Sequence, residues 1–108
     1  MNKYRDKSDF EINKAVAEEL KLIYEIDYSM RIVVIGEHII YNPCLNPDQA
    51  MPIIIENGIC MNYIDKDIGW GAYHFDEEKG ELEIYDKNYY RAAMICFLMM
   101  KDADNEKV

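Results

Sequence analysis

The chain has 108 residues, 50% of them apolar and 31% charged, and a net charge of −9. That size fits one domain, 1–108, with a core able to fold without staples, and the composition is that of a soluble globular protein. The acidic balance disfavours direct nucleic-acid binding, because phosphate favours the opposite sign. The longest apolar run, Ala92–Met100, is nine residues, against the roughly 20 that a membrane helix needs.

The charge is uneven: residues 1–54 are net −3 and residues 55–108 net −6. A surface of this sign suits solubility or a basic protein partner. The opening stretch MNKYRDKSDF is polar and charged, so no secretory leader is expected and a cytoplasmic location is the default expectation. Cys44, Cys60 and Cys96 make an odd set without CxxC spacing, which fits reduced thiols. Cys44, Cys60, His38 and His74 lack any ligand spacing, so no metal and no cofactor is expected.

In chain order, Ser8 and Glu11 form a capping box, and Ile12, Ala15, Val16 and Leu20 share one helical face. A helix over 9–20 follows, with residues 1–7 as a loose tail. Leu22–Ile26, Arg31–Ile35 and His38–Tyr41 read as strands, broken at 27–29 by turn chemistry and at Gly36-Glu37. Asn46 can cap and Pro47 suits the first position of a second helix. Pro52 predicts a kink within it, after a short turn at 47–50, and Gly58 a left-handed stop.

Ile59–Ile64, Gly69–Phe75 and Glu81–Tyr85 complete the strands, with a turn at 65–67 and a charged hairpin loop at 76–80. In the last strand Leu82 and Ile84 share one face, while Glu81, Glu83 and Tyr85 share the other. Asn88 can cap a final helix over 89–102, apolar almost all round and so buried by the rest of the chain or by a second subunit. Residues 102–108 are expected to fray. The sum is an α+β domain with a mainly antiparallel sheet packed against N-terminal and C-terminal helices. A homodimer is compatible with it.

Three blocks stand out together: SDFEINKAVAEEL at 8–20, LNPDQAMPIIIENGICM at 45–61 and RAAMICFLMM at 91–100. In this order and spacing the chain resembles the phage NinX family, small proteins of tailed phages and prophages. The middle block is the most specific. The resemblance implies a protein made in a phage-infected or lysogenic bacterium, and it implies no established chemistry.

Catalytic motifs are missing. The chain has two Ser, no Thr and two His, with no GxSxG turn, Cys–His motif or phosphate-binding glycine pattern. The expectation is a non-enzymatic phage accessory protein that acts by binding a host or phage protein, such as a nucleic-acid-processing or defence factor with a basic groove. Asp76, Glu77, Glu78, Glu81 and Glu83 form the candidate acidic face; the bland alternative is a solvated surface. The alternative function is small-molecule binding, such as sequestration of a nucleotide signal, by Tyr41, Asn42, Asn46, Asp48 and Trp70. There a helix start offers free amides and Gly69-Trp70-Gly71 lets a backbone approach closely. Those residues have structural readings too: a helix cap at Asn46, and a bulge with a core Trp at Trp70.

Overall fold

The structure, a computed structural model, describes residues 3–78 and 80–105. Its elements are α1 (Asp9–Glu19), β1 (Tyr24–Asp27), β2 (Ile32–Ile35), β3 (Ile39–Tyr41), α2 (Pro47–Glu56), β4 (Cys60–Asp65), β5 (Gly69–Asp76), β6 (Gly80–Asp86) and α3 (Tyr89–Asn105). The fold is α+β, and every strand pairing is antiparallel. The strands form two three-stranded meanders, β1-β2-β3 and β4-β5-β6. Helix α2 lies between them in the chain, so the strands that the sequence suggests for one sheet are divided into two.

Helix α3 is the centre. Ala92 through Leu98 are all buried, and seven consecutive residues cannot lie on one helical face at 3.6 residues per turn. Helices α1 and α2 and strands β5 and β6 all pack against α3. The apolar run is therefore covered within one chain. Ile12, Val16, Ala50, Ile53, Ala72 and Ile84 supply the facing surfaces.

The helix ends explain where the elements begin and stop. Ser8 Oγ accepts from the Glu11 amide while the Glu11 carboxylate accepts from the Ser8 amide, which completes the capping box. Asn46 Oδ1 accepts from the Asp48 amide, and Asn88 Oδ1 from the Arg91 amide. At the end of α2, Gly58 adopts φ +63°. The Ile59 amide donates to the Ile54 carbonyl and the Gly58 amide to the Ile55 carbonyl, the paired closure of a Schellman turn.

Three expectations need correction. Helix α2 runs unbroken from Pro47 to Glu56 with Pro52 inside it. Pro52 is exposed and lies in the second turn, so the missing amide leaves unmatched only the Asp48 carbonyl near the helix start. The N-terminal segment is docked from residue 3. Tyr4 is buried and donates to Asp102 Oδ2 at 2.5 Å, and Lys3 pairs with the same carboxylate. At the other end α3 continues through Asn105. Residues 1–2 and 106–108 of the two expected tails, and Lys79 of the hairpin loop, lie outside the described residues.

Candidate functional site

The segment Tyr41–Asp48 connects β3 to α2, and its polar groups turn inward. Asn13, buried on α1, donates from Nδ2 to Asn42 Oδ1 at 2.8 Å and accepts from the Cys44 amide at 3.1 Å. The Asn42 amide donates to Gln49 Oε1 at 2.6 Å, and Gln49 Nε2 donates to the Ile40 carbonyl. Tyr41 and Cys44 are buried. Burial pushes the Tyr41 phenol up to about 12 and raises the Cys44 thiol well above its usual range, with Asp9 adding to the rise. Asn46 caps α2, and Asp48 alone of the five residues singled out here stands exposed.

Trp70 lies in the second sheet, half-buried, in a row of aromatic rings. Its ring meets Tyr63 edge-on at 5.2 Å and Tyr89 at 4.9 Å, and Tyr89 meets Tyr90 at 4.9 Å. Such edge-to-face pairs add to ordinary burial. The flanking glycines serve the fold. A Cβ on Gly69 would stand 2.5 Å from the Lys87 Cα, and one on Gly71 would stand 2.5 Å from the Tyr73 hydroxyl. The register slips between Tyr63 and Asp65, across from this segment. The described contacts do not join Trp70 to the 41–48 segment.

The five acidic residues divide between two sides of β4-β5-β6. Asp76 faces α3, in a groove of about 150 Å³ lined also by His74, Leu82, Met100 and Asp104. Its Oδ1 accepts from the Glu78 amide. Glu77 and Glu78 are exposed in the turn. Glu81 and Glu83 lie on the opposite face, because alternate strand residues point to opposite sides. The register sets Glu81 across from Phe75 and Glu83 across from Tyr73.

That opposite face carries no helix or strand layer among the described residues, since α3 covers only the inner side. Phe75 is 69% and Tyr85 40% exposed, and Cys60, Asn62, Glu81 and Glu83 are exposed with them. Tyr73 folds its ring over Gly71. Its hydroxyl lies 3.4 Å from that of Tyr85, which in turn donates to Glu83 Oε2 at 3.3 Å. The bond with Tyr73 pushes the Tyr85 phenol up to about 12, helped by Glu83. Neither Glu81 nor Glu83 pairs with a cation among the described residues. The strand alternation of Glu81, Glu83 and Tyr85 was readable in the sequence. The exposure of Phe75 was not, because an aromatic residue in a strand ordinarily reads as core.

Other reactive groups have structural surroundings. His74 Nδ1 lies 3.4 Å from the Gly58 carbonyl, and His38 is exposed in the β2–β3 turn at φ +69°. Burial raises the Cys96 thiol to about 12. No group of three His, Cys, Asp or Glu among the described residues could hold a metal ion, and no described helix is long and apolar enough to cross a membrane.

No curated protein and no solved structure matches the chain. A family model does: that of Bacteriophage P22, NinX, which matches residues 3–101. The match runs from the docked Tyr4 segment to the last turns of α3 and takes in both sheets, so the chain belongs to the Bacteriophage P22 NinX family.

Proposed function

We propose that the chain is a non-enzymatic phage accessory protein that acts by binding a basic surface of a host or phage protein, such as a nucleic-acid-processing or defence factor, within the infected or lysogenic cell. One observation carries this reading: the uncovered face of β4-β5-β6 sets Glu81 and Glu83 beside exposed Phe75 and Tyr85. Exposed aromatic rings supply contact area, and unpaired carboxylates supply attraction for cations. The net charge of −9 extends the same sign over the chain and would speed encounter with a basic partner. Binding is favoured over catalysis because the sequence carries no GxSxG turn, Cys–His motif or phosphate-binding glycine pattern.

The alternative, a small-molecule binder using Tyr41, Asn42, Asn46, Asp48 and Trp70, has less support. The side chains of Asn42 and Asn46 are engaged in internal hydrogen bonds, and Trp70 is flanked by two tyrosines. Native mass spectrometry of the protein purified gently from a phage-susceptible host separates the readings. A co-purifying protein released by Glu81→Lys with Glu83→Lys supports the acidic face. A partner that stays bound to that folded variant, or an adduct of nucleotide mass alone, overturns it.

A further inference from the structure

Resting on the acidic-face reading above, we propose that the outer face of β4-β5-β6 recognises arginine side chains at every second position of an extended protein segment. The geometry points there through two adjacent pairs of ring and carboxylate, in one of which the Tyr73 ring leans over Gly71 towards Tyr85. Tyr73 lies across from Glu83, and Phe75 across from Glu81. Directly opposed residues on one sheet face are neighbours, so Phe75 flanks Glu81, while Tyr73 reaches Glu83 through the Tyr85 hydroxyl. A guanidinium can lie flat on a ring while its N–H edge meets a carboxylate, whereas an ammonium is a strongly hydrated point charge. Glu83 also accepts from the Tyr85 hydroxyl, which holds one carboxylate in place beside a further ring.

The backbone positions of the two pairs lie two residues apart along β5 and β6, about 6.8 Å on an antiparallel strand. Same-side side chains of any extended segment repeat at that interval. The face therefore matches Arg-x-Arg in a strand-like conformation and not arginines adjacent in sequence. A second copy of this chain cannot supply it. The only arginines are Arg5, Arg31 and Arg91, far apart in sequence, and Arg91 is engaged by Asp9 and Asp86. A nucleic acid is opposed by the same carboxylates. The occupant is a different protein with a basic extended segment.

The test is an NMR titration of the ¹⁵N-labelled protein at low salt with three capped nine-residue peptides of Ser/Thr background. One carries two arginines at alternate positions, one two lysines there, and one two adjacent arginines. The alternate-arginine peptide is expected to shift the amides of Tyr73, Phe75, Glu81 and Glu83 and to bind at least about 3-fold tighter than either other peptide. Glu81→Gln with Glu83→Gln, its spectrum otherwise unchanged, is expected to weaken that binding about 5-fold or more. Equal binding of the lysine peptide, or of the adjacent-arginine peptide, overturns the arginine inference and leaves the acidic-face reading standing. If no peptide shifts this face, both fall.

Discussion

Arg91, on the first turn of α3, places Nη1 2.7 Å from Asp9 Oδ1 on the first turn of α1. The same guanidinium reaches Asp86 Oδ2 at 3.1 Å and the carbonyls of Arg5 and Lys7 at 3.1 and 2.6 Å. One side chain, 13% exposed, thus fastens two helix starts, the end of β6 and the N-terminal segment. Arg91→Ala leaves Asp9 and Asp86 without a counter-charge. It is expected to lower stability by about 2–3 kcal/mol, below the fully buried range because Asp9 remains partly open to water. Arg91→Lys keeps the charge but not the fork, and should recover less than half of that loss. Urea denaturation measures both, and hydrogen exchange at residues 3–8 should accelerate in each. Unchanged exchange there would mean that Tyr4 and Lys3 hold the segment alone.

Asn13 is the polar counterpart of that arrangement, buried beneath the β3–α2 connection. Its amide group serves both the Asn42 side chain and the Cys44 backbone amide. Asn13→Ala leaves a buried N–H and a part-buried carbonyl oxygen without partners, a loss of about 2–3 kcal/mol. Asn13→Asp keeps the acceptor for Cys44 but removes the donor to Asn42, and should also fall below wild type. If thermal unfolding shows Asn13→Ala within experimental scatter of wild type, the network contributes nothing to stability.

Local signals were legible and long-range ones were not. Ser8, Asn46, Asn88 and Gly58 announce helix ends through chemistry confined to four or five residues, and the structure uses each of them so. The alternation in Glu81–Tyr85 gave the outer face of β6 for the same reason. Asn13 sits on the apolar side of α1 and serves a loop 29 residues away, which no periodicity reveals. The docking of residues 3–7 depends on Arg91 and Asp102, more than 80 residues on. The division into two sheets rests on strand pairing that stops at β3 and restarts at β4, which no local pattern reveals. Pro52 misled because a proline near a helix start loses a bond to a carbonyl that water can reach.

Gly69 and Gly58 both adopt positive φ, at +92° and +63°, yet differ in surroundings. A Cβ at Gly58 meets nothing within 4 Å, whereas one at Gly69 would collide with backbone at Lys87 and Asp86. Gly58→Ala should cost about 1 kcal/mol, the backbone penalty alone. Gly69→Ala adds a clash that only a shift of the β6–α3 junction relieves, and should cost at least about 2 kcal/mol more. It should also displace Trp70, visible as a change in its fluorescence maximum. Equal melting temperatures for the two variants would show that the junction yields freely.

Glu11 links the N-terminal cap to pH. Hydrogen bonds from the Ser8 amide and hydroxyl hold its carboxyl below the ordinary value of 4.5, with Lys7 and Arg31 assisting. Asp27, bonded by the Met30 amide and the Ser29 hydroxyl, is likewise held below 3.8. A depressed folded-state value means that the charged form is favoured by folding. The stabilisation is therefore complete above the unfolded-state value and is lost as pH falls through the folded one. Glu11→Gln preserves an acceptor for the Ser8 amide but removes the charge. Wild type should exceed it in unfolding free energy by a constant margin at neutral pH, and the margin should shrink below about pH 4.5. Urea titrations of both proteins between pH 3 and 7 measure the margin directly. A margin that does not change with pH would show that the cap works through geometry alone, with no contribution from the carboxylate charge.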